Sequence, residues 1–362
     1  MIIRKQTLSR RQAVLGTASL IGALAADTVT PNTTSALRAH RIPYGACVNL
    51  DPLEKKPEYR AALETYCQQV TPEYGLVWDY LRPARDKFNF DFPDKVLAFA
   101  EANEMTVRGH TLVWYGAMPN WTKEISGTAE AERELTNHIE NVVSRYRGKI
   151  KTWHVVNEPI DDDNGTVGAL RPSVWLQYLG PKYIDMAFRL AHQVDPSAEL
   201  LLNDYDIECI GASFATRRRA LLTLVRDLLA RGVPLHGVGL QGHIQGKYQI
   251  DEDGLYNFVS EIKSLGLSVH VTELDVIDKD FPGSFTVRDA MVAARAYDFL
   301  NSLFAAVRPS VIATWGITDR YTWMPMWNKR KDGLINRPLP LDEFYRPKPL
   351  WSVIDYFCQK TV

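Results

Sequence analysis

The chain has 362 residues, of which 46% are hydrophobic, and its formal net charge is −1. This length can bury the core of one large domain or of two ordinary ones. The near-zero charge, with Lys and Arg scattered along the chain, argues against nucleic acid as the main partner. The nine Trp and sixteen Tyr can fill a core, and they can also stack on sugar faces and other flat ligands.

The first predicted element is an export signal. Arg10 and Arg11 precede an apolar run over residues 13–25, which ends in small residues that suit an Ala-x-Ala cleavage site. This order is typical of a twin-arginine signal, and the run is too short to span a bilayer comfortably. We therefore expect residues 1–26 to be an export signal, residues 27–40 to be a linker, and the mature protein to be periplasmic or secreted. A frayed amphipathic N-terminus is the alternative.

The cysteines, Cys47, Cys67, Cys209 and Cys358, have a spacing that fits no metal site. The twin-arginine route is understood to carry proteins that have already folded in a reducing cytosol. We therefore favour four buried thiols over two disulfide bonds. Because no His/Cys/Asp cluster has ligand spacing, the sequence implies no metal ion and no organic cofactor.

From residue 41 onward, short β-rich runs alternate with helical patterns. The predicted strands cover residues 42–49, 70–78, 106–114, 150–158, 199–206, 236–243, 268–276 and 311–318. The predicted helices cover residues 55–68, 92–103, 128–147, 173–195, 213–231, 252–265, 286–306 and 347–360. N-caps are predicted at Thr128, Ser173, Ser213 and Thr286.

This alternation predicts a parallel sheet covered by helices. Eight strand–helix units are the number that closes such a sheet into an α/β fold of the (β/α)8 TIM barrel type. We therefore predict a single catalytic domain over residues 41–362. An open doubly wound sheet is the alternative, but it requires a Gly-rich phosphate loop after the first strand, and YGACVNLDPLEKK is not one.

Ligands bind at the carboxyl ends of the strands in such a barrel, where this chain places two carboxylates. Glu158 and Glu273 follow apolar stretches of the fourth and seventh strands. Retaining glycoside hydrolysis requires two carboxyls that face each other across a sugar. One must be protonated to give a proton to the leaving oxygen, and the other must be ionised to attack the anomeric carbon. The sequence therefore predicts a glycosidase site.

Other side chains at the same rim fit this chemistry. Asn157 can hydrogen-bond a substrate hydroxyl more strongly in the transition state. His243 and Asp275 can hold Glu273 ionised and correctly aimed, and tryptophans can form flat walls for sugar rings. Capping or core packing would explain any one of these residues alone. Packing does not explain all of them at one rim, because an unpaired buried polar group costs about 1–3 kcal/mol.

These stretches together resemble glycoside hydrolase family 10, the β-1,4-xylanases. The matching motifs lie between Tyr44 and Trp351 and read RGHTLVW, VVNEP, LLNDYDIE, GVGLQGH, VTELD, TWGITD and YRPKP. The resemblance implies Glu158 as the acid/base and Glu273 as the nucleophile. It implies substrate contacts from Glu73, His110, Trp114, Asn157, Tyr205, Gln241, His243, Trp315 and Trp323, with Tyr205 on the leaving-group side.

One departure from the family pattern concerns specificity. Where the family has Pro-Glu-Asn-x-Met-Lys-Trp, this chain has PEYGLVW, so Tyr74 and Val77 replace the Asn and Lys that bind the next sugar toward the non-reducing end. Ala117 replaces a Gln that serves the same sugar. Lost hydrogen bonds reduce discrimination, so we expect this subsite to be weak, blocked or rebuilt. Exo-like action is then an alternative to mid-chain cutting of xylan.

A second departure is His154, four residues before Glu158, where the family usually has an Asp that pairs with the equivalent of His110. A second imidazole in place of the carboxylate removes a negative charge, which favours neutral His110. We therefore expect a changed pH–rate profile.

The sequence thus predicts a retaining enzyme of the endo-1,4-β-xylanase type that cleaves β-1,4-xylosidic bonds in xylan or xylo-oligosaccharides. The alternatives are a retaining β-glycosidase or transglycosylase for another β-glycan, and a carbohydrate-binding protein without activity. Retention of the costly Glu158 and Glu273 argues against the last. The expected partner is a polysaccharide or oligosaccharide, with no nucleic acid, no membrane in the mature form, and a monomeric chain.

Overall fold

Parallel pairing between neighbouring strands closes one sheet into a barrel. The computed structural model describes residues 41–161 and 169–360, so the predicted export signal and linker lie outside the described residues. The strands are β1 Tyr44–Val48, β2 Gln69–Pro72, β3 Thr106–Val113, β4 Ile150–Asn157, β5 Glu199–Asp204, β6 Gly237–Leu240, β7 His243–Gln245, β8 Ser268–Ile277 and β9 Ile312–Thr314. Among the described strands, β1 to β6 pair in sequence, β6 pairs with β8, and β9 joins β8 to β1. The short β7 pairs with the end of β8. The predicted (β/α)8 barrel is confirmed.

Helices connect the strands around the outside of the barrel. They are α1 Leu50–Lys55, α2 Pro57–Tyr66, α3 Trp78–Leu81, α4 Asp91–Ala102, α5 Thr128–Arg145, α6 Val174–Leu179, α7 Lys182–Val194, α8 Ala212–Ala230, α9 Glu252–Ser264, α10 Phe285–Ala306, α11 Met324–Trp327 and α12 Pro349–Gln359. Short 3-10 turns cover Asn120–Glu124 and Asp319–Tyr321. None of the helices in the described ranges is long and apolar enough to cross a membrane.

Two predicted helices are each divided in the structure. The predicted helix 55–68 begins at Leu50 and breaks before Pro57, which occupies the first position of α2, where its missing N–H costs nothing. The predicted helix 173–195 breaks at Gly180, whose φ of 63° ends α6.

The last predicted strand, 311–318, is shortened to Ile312–Thr314, and two residues later Gly316 turns the chain with a φ of 117°.

The predicted N-caps are confirmed only at Ser173, whose side chain accepts a hydrogen bond from the Leu176 N–H. The caps predicted at Thr128, Ser213 and Thr286 are wrong, because α5, α8 and α10 begin one or two residues earlier, after Gly127, Gly211 and Ser284. The Ser284 side chain accepts from the Val287 N–H, so a closer serine already satisfies the end of α10.

The four cysteines are free and buried, which confirms the prediction of thiols. Burial raises the pKa of the Cys209 thiol to about 12 and raises the pKa of Cys47 well above its usual range. These thiols are therefore protonated and poorly nucleophilic at neutral pH.

A glycine in β3 sets how closely β3 and β4 meet. A Cβ on Gly109 would lie 2.1 Å from the ring of Trp153, which is fully buried, so only glycine fits beside it. The same strand register places His110 opposite His154. The packing of two neighbouring strands therefore brings these histidines together inside the barrel.

Candidate active site

Glu158 lies at the end of β4, where its backbone has a φ of 53° and its N–H donates to the carbonyl of Asn203 at 2.8 Å. Its side chain accepts hydrogen bonds from neutral groups. Trp114 Nε1 donates to Oε2 at 3.0 Å, while Asn157 Nδ2 and Gln241 Nε2 each donate to Oε1 at 3.0 Å. Among the described residues, the hydrogen bonds to this carboxyl thus come from an indole and two amides, and none comes from a cation.

The pKa of Glu158 is raised, mainly because the carboxyl is buried. Hydrogen bonds from Gln241 and Trp114 oppose the rise, and the negative charge of Glu273 adds to it. A raised pKa favours the protonated form, which is the form that a general acid requires.

Glu273 lies on β8, buried inside the barrel. Asn203 Nδ2 donates to its Oε1 at 2.7 Å, and His243 Nε2 lies 3.3 Å from its Oε2. His110 Nδ1 is 3.7 Å from Oε1. The carboxyl is therefore surrounded by an amide and two imidazoles, in contrast to Glu158.

Burial acts to raise the pKa of Glu273, but the positive charge around it outweighs burial and the pKa is lowered. His110, His243 and Arg108 act in this direction. Because the pKa of His110 is itself lowered to about 4 by burial, this imidazole is neutral near pH 6. Where His110 is neutral, His243 and Arg108 are the groups beside Glu273 that still favour its ionised form.

His243 is oriented by the residues behind it. Its Nδ1 lies 2.9 Å from Asp275 Oδ1, and Trp323 Nε1 donates to Asp275 Oδ2 at 2.7 Å. Burial opposes protonation of His243, but Asp275 and Glu273 raise its pKa well above the usual value. The structure thus places His243 against Glu273, with Asp275 behind His243, and these are the two residues predicted to hold Glu273 ionised and aimed.

The two carboxyls are joined by an amide network that the sequence analysis did not assign to the site. The side-chain nitrogen of Asn203 donates both to Glu273 and to Asn157 Oδ1, which is 2.8 Å away. The side-chain oxygen of Asn203 accepts a hydrogen bond from Thr272 Oγ1 at 2.8 Å. The signal for Asn203 was its place at a strand end in LLNDYDIE. Its partners depend on strand register, which pairs it with Asn157.

Two arginines at the site were also missed. Arg108 is fully buried in the barrel, and its Nη2 donates to the carbonyl of Thr272. Arg171 donates from Nε to the carbonyl of Glu158 at 3.2 Å and from Nη2 to the hydroxyl of Tyr205 at 2.8 Å. Arg108 places a positive charge near Glu273. Arg171 connects the backbone of Glu158 with Tyr205, which is predicted to lie on the leaving-group side. Neither role is visible in sequence, because both depend on contacts between distant segments.

A cavity of about 900 Å³ lies over the two carboxyls. Its lining includes every residue predicted to be catalytic or to bind substrate: Glu73, His110, Trp114, Asn157, Glu158, Tyr205, Gln241, His243, Glu273, Trp315 and Trp323. Asp275 and His154 do not line the cavity and lie behind His243 and His110. The structure therefore brings the predicted residues into one cleft with aromatic walls.

The three positions at which the sequence departs from the family pattern near the donor-side subsite all line this cavity. Tyr74 is 45% exposed, whereas Val77 is buried, and both line the cavity with Ala117. Burial raises the pKa of the neighbouring Glu73 to about 7, although a hydrogen bond with the Tyr74 side chain acts against the rise. This side of the cleft offers a phenol and apolar surface where the family pattern has amides and a lysine.

The histidine pair is as close as the sequence predicted, since His110 Nδ1 and His154 Nδ1 are 2.9 Å apart. Burial lowers the pKa of both imidazoles, with help from Arg108. Together with Glu273 they place three metal-binding atoms within 4.8 Å of one another. Such a cluster was invisible in sequence spacing, because its members lie on β3, β4 and β8.

A closed parallel barrel with paired carboxyls of opposite pKa shift in an aromatic cleft defines a glycoside hydrolase. The chain belongs to glycosyl hydrolase family 10, whose model matches residues 33–356. The sequence is 33% identical to endo-1,4-beta-xylanase B of Thermotoga neapolitana over 322 residues, covering 86% of this chain and 87% of the relative. It is also 33% identical to endo-1,4-beta-xylanase B of Paenibacillus barcinonensis, covering 88% and 97%.

Solved structures agree with this assignment. Xylanase 10B from Thermotoga petrophila in complex with xylobiose superposes with a TM-score of 0.80 at 30% identity, covering 92% of this chain and 99% of that one. Native xylanase 10B from Thermotoga maritima gives a TM-score of 0.79 at 32% identity, covering 91% and 98%. The predicted family and fold are confirmed.

Proposed function

We propose that this chain is an endo-β-1,4-xylanase that cleaves xylan and xylo-oligosaccharides by double displacement. The observation that carries the proposal is that Glu158 and Glu273 line one cleft in different surroundings, Glu158 among neutral hydrogen-bond donors and Glu273 beside Asn203 and His243. The pKa directions, upward for Glu158 and downward for Glu273, agree with this difference. Relatives of similar length are named endo-1,4-beta-xylanases, and one solved neighbour holds xylobiose. These likenesses favour xylan over a different β-glycan.

In the first step, Glu158 gives its proton to the glycosidic oxygen while Glu273 attacks the anomeric carbon. The leaving chain departs as an alcohol, and the sugar remains as an ester on Glu273. In the second step, Glu158 removes a proton from water, which attacks the same carbon and releases Glu273. Two inversions give net retention. Asn157 lies beside Glu158 to bind a substrate hydroxyl, and Trp315 supplies part of the apolar wall.

Replacement of the two glutamates tests these roles. Glu273→Ala is expected to lose hydrolysis of xylan and of aryl β-xylosides, and added azide is expected to restore turnover and give an α-glycosyl azide. Glu158→Ala with azide is expected to give the β-azide, because azide then enters in the second step. The exposed carboxylate variant Asp51→Ala is the control and should retain activity. Glu273→Ala that still hydrolyses xylan, or wild-type protein that binds xylan without cleaving it, would refute the proposal.

The departures at Tyr74, Val77 and Ala117 bear on the mode of cleavage within this reaction. We propose that the neighbouring donor-side subsite binds weakly, because Tyr74, Val77 and Ala117 line the cavity at positions where the family resemblance implies amide and ammonium donors. A series of xylo-oligosaccharides from two to six units measures this directly. Rates that gain little from an added donor-side sugar support a weak subsite. Rates that rise steeply with that sugar, together with rapid loss of xylan viscosity, would contradict it.

We further propose that residues 1–26 direct export by the twin-arginine route, on the strength of Arg10, Arg11 and the apolar run that follows. A reporter fused to these residues should leave the cytoplasm, and Arg10→Lys with Arg11→Lys should retain it there. Export of the doubly substituted fusion would show that the pair does not act as the signal. The mature chain is expected to elute as a monomer in size-exclusion chromatography.

A further inference from the structure

The buried histidine pair and Glu273 form an arrangement that a family 10 reaction does not require. His110 Nδ1 and His154 Nδ1 lie 2.9 Å apart, and Glu273 Oε1 is 3.7 Å from the first and 4.0 Å from the second. The donor atoms around a tetrahedral Zn²⁺ lie about 3.3 Å apart, given metal–nitrogen bonds of about 2.0–2.1 Å. Shifts of a few tenths of an ångström would therefore bring all three atoms into a coordination sphere.

We infer that His110, His154 and Glu273 form an inhibitory site for a divalent transition-metal ion, of which Zn²⁺ fits the donor set best. Two imidazoles and one carboxylate are a donor set that zinc takes in proteins, and imidazole also suits Cu²⁺ and Ni²⁺. The hard ions Mg²⁺ and Ca²⁺ prefer oxygen ligands and do not match it.

The protonation states of the three groups suit metal binding. Burial lowers the pKa of His110 to about 4 and that of His154 well below its usual range, so both rings are neutral near pH 6. Glu273 is ionised there, because its pKa is lowered. A shift of the imidazole proton from Nδ1 to Nε2 is enough to free both Nδ1 lone pairs. His154 Nε2 is buried without a hydrogen-bond partner among the described residues, so a proton there breaks no bond at that atom, and the hydrogen bond between the two Nδ1 atoms is exchanged for bonds to the metal.

The site has a path to solvent and an effect on the reaction. His110 and Glu273 both line the cavity, so an ion can enter by the route that substrate takes. An ion bound to Glu273 Oε1 engages the carboxylate that must attack the anomeric carbon, and it thereby blocks the first step. The cationic Arg108 and His243 lie nearby and repel a dication. We therefore expect reversible inhibition of moderate affinity rather than tight structural binding.

The test combines inhibition with direct detection of the metal. Hydrolysis of an aryl β-xyloside is measured at pH 6 against ZnCl₂, with MgCl₂ as the ion control and a chelator to reverse the effect. His154→Asn removes one ligand, and each variant is compared with its own uninhibited rate. His192→Asn is the matched control, because His192 also neighbours a histidine, His236, at a ring distance of 5.8 Å, but does not line the cavity. Cobalt(II) titration, read by visible absorption, reports binding without catalysis.

We expect Zn²⁺ to inhibit the wild type and His192→Asn alike, and the half-inhibitory concentration to rise at least about tenfold in His154→Asn. Tetrahedral cobalt absorption should appear in the wild type and disappear in His154→Asn. Equal inhibition of all three proteins, or no cobalt signal in the wild type, would overturn the inference. If His154→Asn does not fold, cobalt titration of Glu273→Ala replaces it, and an unchanged signal there would also overturn the inference. The inhibitory role rests on the proposed function, but the cobalt signal does not, so the two can fail separately.

Discussion

Replacement of His154 by Asp should give the protein a titration that the wild type lacks. In the structure the His110 imidazole meets a second imidazole at 2.9 Å, and burial holds its pKa at about 4. The substitution puts a carboxylate close to this ring. At a separation of about 4 Å and an effective dielectric constant of about 20, the attraction between two opposite unit charges is about 4 kcal/mol. This corresponds to about three pKa units.

The pKa of His110 in His154→Asp is therefore expected near 7. Below that pH the variant carries an imidazolium beside Glu273, and the attraction favours the ionised nucleophile. As the pH rises through about 7, the proton leaves His110 while the new carboxylate stays charged. A negative charge then faces Glu273 across about 4 Å, since His154 Nδ1 lies 4.0 Å from Glu273 Oε1. The variant should thus show a new inflection near pH 7 in kcat/KM.

The assay is the pH dependence of kcat/KM on an aryl β-xyloside from pH 4 to pH 9, together with a proton NMR titration of the histidines. His154→Asn serves as the control, because it changes the shape of the side chain without adding charge. Its profile should lack the inflection near pH 7. A His154→Asp profile that overlays that of the wild type, or a His110 resonance that still titrates near pH 4, would refute the electrostatic reasoning.

Other predictions concern the acid, the donor-side subsite and stability. Glu158→Gln should lose about 10²–10⁴-fold on xylan, but less on aryl substrates with good leaving groups. It should also lose the alkaline limb of the pH–rate profile, since that limb reports loss of the acid's proton. Tyr74→Asn should raise kcat/KM on longer xylo-oligosaccharides relative to xylobiose, and no change in the ratio would contradict a weakened subsite. Asp278→Ala leaves the buried Arg288 without its carboxylate and should cost about 3–5 kcal/mol in urea unfolding, whereas Asp51→Ala at the surface should change stability little.

The fold was predictable because periodicity in this sequence is strong and repeated. Alternating apolar strands and amphipathic helices closed into the expected barrel. Glu158 directly follows β4, as its place at a strand end predicted, whereas Glu273 lies within β8, and both line the cleft. The helix ends were less predictable. Thr128, Ser213 and Thr286 are good capping residues, but a Gly or Ser just before each lets the helix begin earlier. Local propensity cannot separate such neighbouring options.

The parts of the site that sequence could not reveal are those that depend on contacts across the barrel. Asn203 bridges Glu273 and Asn157 only because β4 and β5 pair in one particular register. Arg108 lies in an apolar strand, and its charge matters because the side chain points inward beneath Glu273. A motif gives the residue type and the strand end, but the partner of each buried polar atom is a property of the closed sheet.

The proposed division of labour between the two glutamates follows from their neighbours rather than from burial. Burial acts to raise both pKa values, so it cannot by itself make one carboxyl an acid and the other a nucleophile. Glu158 receives hydrogen bonds from neutral donors, whereas Glu273 faces Arg108 and a protonated His243 that Asp275 stabilises. Once the cations hold Glu273 ionised, its charge raises the pKa of Glu158 further. The ionised Glu273 therefore helps to keep Glu158 protonated, and the cations around Glu273 influence the protonation of both carboxyls.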